Sequence, residues 1–363
     1  MAAQRDIAIN ATQVSLTPVA TLSRMRALAW HGDELYVSLG YQVSRIKVTG
    51  DKVESSSVAD YEPVWWRKVT VSSRLASRLM RDGFHALAVL SSGHMVAAVP
   101  GAIVNLNPGA NGFAVTHKVL RGTRPLHITA IPDDHLFWGE YFDNAARDEV
   151  HIYASSDRGA TWDVAYTFPK GAIRHVHNIV YDGWENCLWI LTGDNGTECR
   201  ILKASCDLRS VEGVLSGGQQ ARAVALVPTR DGVFFSSDTP FEANHVYFLD
   251  RSGRVTKVAD LNGSSIYGCR VGGAVFFSTM VEPSSVNVDR TVGVFGSAGG
   301  RTWQSVLQWT KDSLPMGLFQ YGNAFLPDGH NTSNLLAVST IAVKGADLQT
   351  GLWRLKSSSA MLP

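Results

Sequence analysis

The sequence predicts an all-β protein folded as a single seven-bladed β-propeller, with six blades as the alternative. The first observation is a repeated module of strand, polar turn and strand. It is clearest over residues 174–194, RHVHNIVYDGWENCLWILTGD, where Asp182, Gly183 and Asn186 supply the turn. Further copies begin at Met25, Phe84, Leu126, Ala221, Ile266 and Gln320. The copies recur every roughly 40 to 55 residues, which is the period of propeller blades with four antiparallel strands.

The second observation is the composition, which suits one large all-β domain over residues 1–363. The chain has 45% hydrophobic residues and 33 glycines, enough for such a core and its turns. The net charge of +1 argues against a nucleic-acid partner that binds through bulk charge. The N-terminus has no apolar stretch after a basic start, and no run approaches the length of a membrane span. We therefore expect a cytoplasmic or otherwise leaderless protein without a membrane partner, and the oligomeric state is open.

The N-terminal segment predicts how the ring of blades closes. Residues 5–22 form one lone strand ahead of the first module. In propellers such a terminal strand completes the last blade, so that no sheet edge stays open. We therefore expect this strand to pair with the C-terminal blade.

One insertion, at about residues 61–82, separates the first two modules. Leu75 and Leu79 alternate with arginines in a pattern that indicates a short amphipathic helix. This helix could cover a blade edge. Alternatively, three basic residues of the insertion could form a rim for an anionic ligand: Arg67, Lys68 and Arg74.

The most specific motif in the chain is SSDRGATW. It contains Ser155, Asp157, Gly159, Thr161 and Trp162 in the spacing S-x-D-x-G-x-T-W, called an Asp-box. The aspartate is expected to accept backbone N–H groups of a turn, the glycine to supply a positive φ, and the tryptophan to fill the space beneath. We predict that this turn joins the outer two strands of a blade and has a structural role.

Two degenerate copies of the motif occur at matching places. GSAGGRTW keeps Gly300, Thr302 and Trp303 but has alanine at the aspartate position, and another blade keeps only Ser205 and Asp207. On these motifs the chain resembles the Asp-box (BNR-repeat) propellers of the sialidase-like group, over nearly its whole length. In apparent architecture it is most similar to the seven-bladed polysaccharide-cleaving propellers. The resemblance implies a carbohydrate-active protein.

Polar and aromatic residues recur at the start of each predicted innermost strand. They are Arg26, His85, His127, His177, Arg222, Tyr267 and Tyr321. Because innermost strands line the central channel, we expect these side chains to converge at one mouth of it. A dry channel would use Val, Ile or Ala there. Each residue also has a structural interpretation, as a packed histidine or a channel-filling tyrosine.

Carboxylates recur where the second strand of successive modules ends. They are Glu140, Asp194, Asp238 and Glu282. We expect them on the same face as the strand starts, together with Arg124, Arg174 and His175. The two aspartates could instead only cap turns. A mixture of acids, bases and cations in one concavity is typical of a catalytic or ligand-binding site.

We interpret this pattern first as β-elimination on an acidic, uronic-acid-containing polysaccharide or oligosaccharide. His177 is the first choice for the base, and His127 or Tyr267 for the acid. Arg222 and Arg174 would neutralise the substrate carboxylate. Glu140, which lies between aromatic residues, is a further catalytic candidate. The remaining candidates for substrate binding are Arg26, His85, Arg124, His175, Asp194, Asp238, Glu282 and Tyr321. Seven-bladed lyases such as ulvan lyases resemble this arrangement and use His and Tyr in these roles.

Three alternatives stay open. The first is glycoside hydrolysis by a pair of carboxylates among Glu140, Asp194, Asp238 and Glu282, although the chain lacks the Arg-Ile-Pro motif of true sialidases. The second is a divalent metal at the axis, for which the candidate ligands are His85, His127 and His177, with Glu140 or Asp194 as a further ligand. The third is a non-catalytic propeller that binds an acidic glycan or a protein. Because titratable groups concentrate at the predicted axis, we favour an enzyme.

Overall fold

The computed structural model describes residues 13–356 and has the fold of an all-β, seven-bladed propeller. Seven separate sheets form the blades, each built on four antiparallel strands, and the sheet of blade one has a fifth strand that pairs in parallel. The alternative with six blades is therefore wrong. Blades one to six follow the strand, turn, strand module of the sequence and add two outer strands.

The strands are numbered in chain order. Blade one contains β2 (Arg26–Gly32), β3 (Glu34–Leu39), β4 (Gln42–Thr49) and β5 (Lys52–Asp60). Blade two contains β6 (Ala86–Val89), β7 (Met95–Val99), β8 (Ala102–Leu106) and β9 (Ala114–Lys118). Blade three contains β10 (Thr129–Ile131), β11 (His135–Gly139), β12 (Val150–Ser155) and β13 (Asp163–Phe168). Blade four contains β14 (His175–Asp182), β15 (Cys187–Gly193), β16 (Arg200–Ser205) and β17 (Val211–Ser216).

The remaining blades complete the ring. Blade five contains β18 (Ala223–Thr229), β19 (Gly232–Ser237), β20 (Asn244–Asp250) and β21 (Val255–Leu261). Blade six contains β22 (Tyr267–Val271), β23 (Ala274–Ser278), β24 (Thr291–Ser297) and β25 (Gln304–Thr310). Blade seven contains β26 (Asn323–Phe325), β28 (Leu335–Ile341), β29 (Gln349–Leu355) and β1 (Leu16–Ser23), and β27 (Asp328–Asn331) leaves it for blade one.

The N-terminal strand closes the ring as expected. β1 pairs antiparallel with β29, from Leu16 opposite Leu355 to Ser23 opposite Gln349. Residues 5–12 of the predicted strand lie outside the described part of the chain. The pairing satisfies backbone groups of β29 that would otherwise form an open edge.

Blade seven departs from the predicted hairpin. The chain leaves β26 and, as β27, runs parallel to β2 of blade one, with Asp328 opposite Ala29. β27, from near the end of the chain, thus adds a fifth strand to the blade-one sheet, next to β2. This detour brings Asp328, which the sequence pattern suggests to be a turn residue, into the central channel.

The insertion between blades one and two forms helices α1 (Trp65–Thr70) and α2 (Arg74–Met80). Their basic residues do not form an open rim. Arg67 pairs with Asp82 at 2.6 Å, Lys68 pairs with Glu62, and Arg74 pairs with Asp347 at 2.5 Å. Each cation already has a carboxylate partner, so these contacts give the anionic-ligand interpretation no support, and it stays a prediction.

The apolar core lies between neighbouring sheets rather than at a single centre. Trp138 of β11 is almost fully buried and stacks on Tyr153 of β12 with 4.2 Å between ring centroids. It also meets Trp162 of the Asp-box edge-on at 6.2 Å. These ring contacts lie within blade three, and Trp138 also belongs to a buried cluster with Val96 and Ile103 of blade two. Apolar burial thus joins adjacent sheets.

The Asp-box turn has the predicted structure between β12 and β13. The Asp157 carboxylate accepts hydrogen bonds from the Ser155 hydroxyl at 2.8 Å and from the Thr161 backbone N–H at 2.9 Å. Gly159 has φ of 83°, which glycine adopts at little cost. In the degenerate copies, Asp207 accepts similar bonds, and Gly300 keeps a positive φ of 71°. No helix in residues 13–356 has the length and apolar character needed to cross a membrane.

Candidate functional site in the central channel

Polar side chains gather in two groups near the upper face, which we define as the face where the innermost strands begin. The axial cluster consists of Arg26, His85, Arg124, His127, Tyr267 and Asp328. The blade-four cluster consists of Tyr141, Arg174, His175, His177, Asp194, Arg222 and Asp238. The expected convergence thus occurs for six of the seven strand-start residues, but in two groups with different chemistry.

Arg26 and His85 are joined by hydrogen bonds at the mouth of the channel. Arg26 donates to His85 Nδ1 at 3.4 Å and to the His85 carbonyl at 3.3 Å, and its guanidinium lies 4.1 Å over the Phe325 ring. His85 Nε2 faces the Arg81 carbonyl at 2.9 Å, so Nε2 carries the ring proton. Burial, with Arg124 and Arg26 nearby, lowers the pKa of His85 well below its ordinary value. His85 is therefore a neutral acceptor that orients Arg26.

Arg124 is a cation without a carboxylate partner within residues 13–356. Its one side-chain hydrogen bond goes to the Thr123 hydroxyl at 3.1 Å. Burial, together with the nearby Arg26 and Arg81, lowers the pKa of Arg124 to about 10. The buried Nε of Arg26 also has no hydrogen-bond partner in this part of the chain. Two half-buried guanidinium groups with unused donors favour an anionic ligand at this mouth.

His127 and Asp328 form a pair beside Tyr267. His127 Nδ1 lies 3.0 Å from an Asp328 carboxylate oxygen, which can only accept, so Nδ1 carries the proton. Nε2 makes no hydrogen bond within the described chain and lies open to the channel. The Tyr267 ring meets the His127 ring edge-on at 6.0 Å between centroids. Burial raises the pKa of Tyr267, so the phenol is protonated at neutral pH.

These residues line a cavity of about 600 Å³ in the central channel. Its wall consists of residues from the innermost strands, among them His127, Tyr267 and Asp328. Trp184 and Arg270 line it where those strands end, with the guanidinium 5.0 Å over the indole ring. The volume lies in the range of ordinary small-ligand sites. His127, Tyr267 and Asp328 of the axial cluster therefore have space beside them.

The blade-four cluster is more tightly closed. His177 is 3% exposed, and Val176 and Asn178 pair with adjacent residues of β15, so His177 is the extra residue of a β-bulge. Its Nε2 lies 3.1 Å from His175 Nε2 and 3.1 Å from Asp194 Oδ1. Its Nδ1 faces the Ala223 carbonyl at 2.8 Å. Burial lowers the pKa of His177. Because both ring nitrogens are engaged inside the protein, His177 is poorly placed to take a proton from a saccharide.

Two arginines surround Asp194. Arg174 donates to Asp194 Oδ2 at 3.1 Å and to Asp143 at 2.5 Å, and Arg222 lies 3.4 Å from Asp194 Oδ1. Burial alone would raise the pKa of Asp194, but His175 and His177 lower it well below its ordinary value. Arg174 and Arg222 are thus already neutralised. They are less suited than Arg26 and Arg124 to a substrate carboxylate.

Asp238 and Tyr141 complete the blade-four cluster. Asp238 lies 3.6 Å from Arg222, yet burial raises its pKa to about 7, with Glu282 and Asp194 adding repulsion. Its Oδ1 is buried and has no partner within residues 13–356. Burial, with Asp194 and Asp238 nearby, raises the pKa of Tyr141 to about 12. Tyr141 packs against the His175 ring at 4.3 Å.

Two predicted site residues, Glu140 and Tyr321, have different surroundings from those expected, whereas Glu282 lies near Asp238 and Arg222. Glu140 is 5% exposed but forms an ion pair with Arg121 and accepts the His151 backbone N–H at 2.8 Å, which is a structural role. Glu282 receives a hydrogen bond from Ser264, and burial raises its pKa. Tyr321 is 37% exposed, and Phe325 occupies the expected position over Arg26. Tyr321 therefore does not join the axial cluster.

The predicted metal ligands do not come together. His85 contacts Arg26, His127 contacts Asp328, and His177 belongs to the blade-four cluster. Within residues 13–356 their donor atoms form no common group that could hold an ion. The suggested metal site of His85, His127 and His177 is therefore wrong.

The sequence interpretation missed two participants, Asp328 and Tyr141. Asp328 stands in a Pro-Asp-Gly sequence, which indicates a turn, and only the pairing of β27 with β2 makes it a partner of His127. Tyr141 directly follows Glu140 in WGEY, so a search extended by one residue would have found it.

Comparisons with known proteins support the fold. No family model matches this chain. No curated protein matches it either. Among solved structures, the WD40 β-propeller domain of Doa1 matches at 10% identity and a TM-score of 0.57, covering 96% of this chain and 98% of that domain. The β-propeller domain of Myceliophteria thermophila Cps50 (Swd1) matches at 12% identity and a TM-score of 0.56, covering 94% of this chain and 100% of that domain.

A chain in the structure of the mitotic checkpoint complex is similar at 11% identity and a TM-score of 0.57, covering 97% of this chain and 99% of that one. At such identities the likeness concerns the fold alone. The protein is a seven-bladed β-propeller with WD40 propellers as structural neighbours. These comparisons support the propeller fold and do not show membership of the Asp-box group.

Proposed function

We propose that this propeller is a carbohydrate-active protein of the Asp-box type that binds an acidic saccharide in its central channel and cleaves it by β-elimination. The observation that carries the proposal is the free Nε2 of His127 beside a 600 Å³ cavity, with Asp328 holding Nδ1. A neutral imidazole with one nitrogen fixed by a carboxylate is a suitable general base.

The other groups of the axial cluster supply the remaining requirements of the reaction. Arg124 and Arg26 neutralise the uronate carboxylate, which makes the neighbouring C–H more acidic. His127 removes that proton. Tyr267, whose pKa burial raises, gives its proton to the leaving glycosidic oxygen as the double bond forms. His127 thus takes the role of base that the sequence pattern assigned to His177.

Hydrolysis is the second candidate, and the pKa of about 7 for Asp238 favours it. A carboxyl group that keeps its proton near neutral pH is suited to protonate a leaving sugar. Asp238 and Asp194, both near Arg222, form a pair with opposite protonation states. This candidate uses the blade-four cluster and not the axial cluster.

The test uses a panel of uronate-containing and neutral polysaccharides with the full-length protein. Elimination gives an unsaturated uronate that absorbs in the ultraviolet, whereas hydrolysis gives new reducing ends without that absorbance. We expect absorbance from an acidic polymer and none from neutral ones. His127→Gln and Tyr267→Phe should each lower the rate by roughly 10²- to 10⁴-fold, while exposed Tyr321→Phe should keep it.

Three results would contradict elimination in distinct ways. New reducing ends without absorbance, lost in Asp238→Asn, would favour hydrolysis. Calorimetric binding of an acidic polymer, weakened in Arg124→Met but without any cleavage, would favour a binding protein. Full activity of folded His127→Gln would remove the axial cluster from the reaction.

A further inference from the structure

The blade-four cluster contains three donor atoms that face one another. His175 Nε2, His177 Nε2 and Asp194 Oδ1 form a nearly equilateral triangle with sides of 3.1, 3.1 and 3.5 Å. Ligand atoms bound to one first-row divalent ion at its usual bond lengths lie about 3.0 to 3.5 Å apart. The three side chains therefore already have the spacing of a metal-bound set.

The hydrogen bonds of the two imidazoles decide which nitrogen faces the centre. His177 Nδ1 faces the Ala223 carbonyl at 2.8 Å, and His175 Nδ1 faces the Phe142 carbonyl at 3.0 Å. A carbonyl only accepts, so each Nδ1 carries its proton and each Nε2 presents a lone pair. Backbone carbonyls that fix the tautomer in this way are a regular feature around metal-bound histidines.

This orientation leaves an electrostatic conflict that a cation removes. Two lone pairs and a carboxylate oxygen meet within 3.5 Å. A single proton can bridge two of these atoms but not all three. An ion at the centre contacts all three at once.

The second carboxylate oxygen and the neighbouring glycine support the same geometry. Arg174 binds Asp194 Oδ2 at 3.1 Å, which leaves Oδ1 directed at the histidines. A Cβ at position 193 would lie 2.5 Å from His177 Cε1, so only glycine lets the ring take this position. The charged groups facing the triangle are Arg174 and Arg222 on one hand and Asp143 and Asp238 on the other.

We propose that His175, His177 and Asp194 bind one divalent first-row transition ion, such as Zn²⁺, at the upper face. Two imidazoles and one carboxylate are a ligand set of this metal class. Three protein donors leave at least one position for water or a substrate oxygen. The site is separate from the His127 pair, and nothing in it depends on cleavage of a saccharide.

The test measures metal binding by the full-length protein, so it can fail independently of the proposed activity. Protein freed of metal with a chelator is titrated with Co²⁺, whose visible absorption reports its ligands, and Zn²⁺ is then added as a competitor. We expect one equivalent of Co²⁺ with a spectrum of nitrogen and oxygen ligands, displaced by Zn²⁺. A wild-type protein that binds neither ion would overturn the proposal without any variant.

Variants then locate the ion. His175→Gln and His177→Gln should each weaken Co²⁺ binding by at least about 100-fold, and Gly193→Ala should do so by moving the His177 ring. His94→Gln, in an exposed turn, is the matched control and should bind normally. Glu185→Gln tests the second group of donors, Asp182, Glu185 and Cys187. Loss of the ion in Glu185→Gln with retention in folded His177→Gln would assign it to that other group and refute the proposal.

Discussion

Arg78 offers a sharp test of how the inserted helices are fixed to the ring. The side chain has no exposed surface, and Nη1 lies 2.6 Å from Asp312 and 3.2 Å from Asp347. Nε donates to the Phe319 carbonyl at 3.1 Å. α2 is thereby joined to the loops of blades six and seven. Replacing Arg78 with methionine keeps the aliphatic volume and leaves these acceptors without their donor.

The expected cost follows from burial and from the partners that remain. Breaking a buried ion pair by removing one member typically costs 3 to 5 kcal/mol, because the other charge stays desolvated. Asp312 keeps Lys311 and Asp347 keeps Arg74, so we expect the lower end, about 3 kcal/mol. That is a large fraction of the roughly 5 to 15 kcal/mol that separates folded from unfolded proteins.

Arg74→Met is the matched control. Arg74 also pairs with Asp347, but its side chain is 58% exposed, so its loss should cost below about 1 kcal/mol. Urea unfolding, followed by tryptophan fluorescence and circular dichroism, would give the free energy of unfolding of each variant. The comparison holds if the slope of that free energy against urea concentration is the same in both variants. Equal destabilisation by Arg78→Met and Arg74→Met would refute the view that burial makes the Arg78 contacts important.

Two further predictions concern stability. Asp157→Ala should lower the free energy of unfolding by about 1 to 3 kcal/mol, because backbone and hydroxyl donors of the Asp-box turn lose a charged acceptor; exposed Asp163→Ala is the control, and equal urea midpoints for the two variants would contradict the structural role. Asp238 has a folded pKa of about 7 against 3.8 unfolded, so its protonated form contributes stability below pH 3.8 that is lost as the pH rises through 7. Between pH 4 and 8 the free energy of unfolding of the wild type should therefore fall by up to about 4 kcal/mol relative to that of Asp238→Asn. A difference in melting temperature between the two proteins that stays constant over this pH range would show that Asp238 is already ionised.

Much of the fold could be predicted from the sequence, because its signals are local. The module around residues 174–194 appears as β14 and β15, and the N-terminal strand closes the ring. The SSDRGATW turn forms from atoms within a few residues of Asp157. Strand alternation, turn chemistry and repeat period depend on near neighbours, so one sequence reveals them.

The candidate site was predictable only in part. The strand-start positions led to Arg26, His85, His127 and Tyr267, and the structure places Arg26 against His85 and His127 against Tyr267. The pattern treated His177 as equivalent to His127, but one is enclosed by the blade-four cluster and the other faces the cavity. Whether a histidine has a free nitrogen depends on its partners, and these come from other blades.

The sequence by itself determined the blades, their order and the polar character of the axis. Only the tertiary structure decided that Asp328 meets His127, across 201 positions of the chain, and that Tyr321 stays outside. The physical reason is that hydrogen bonds and burial act between atoms in space. Propeller closure and the detour of β27 bring those atoms together, and neither leaves a local pattern in the chain.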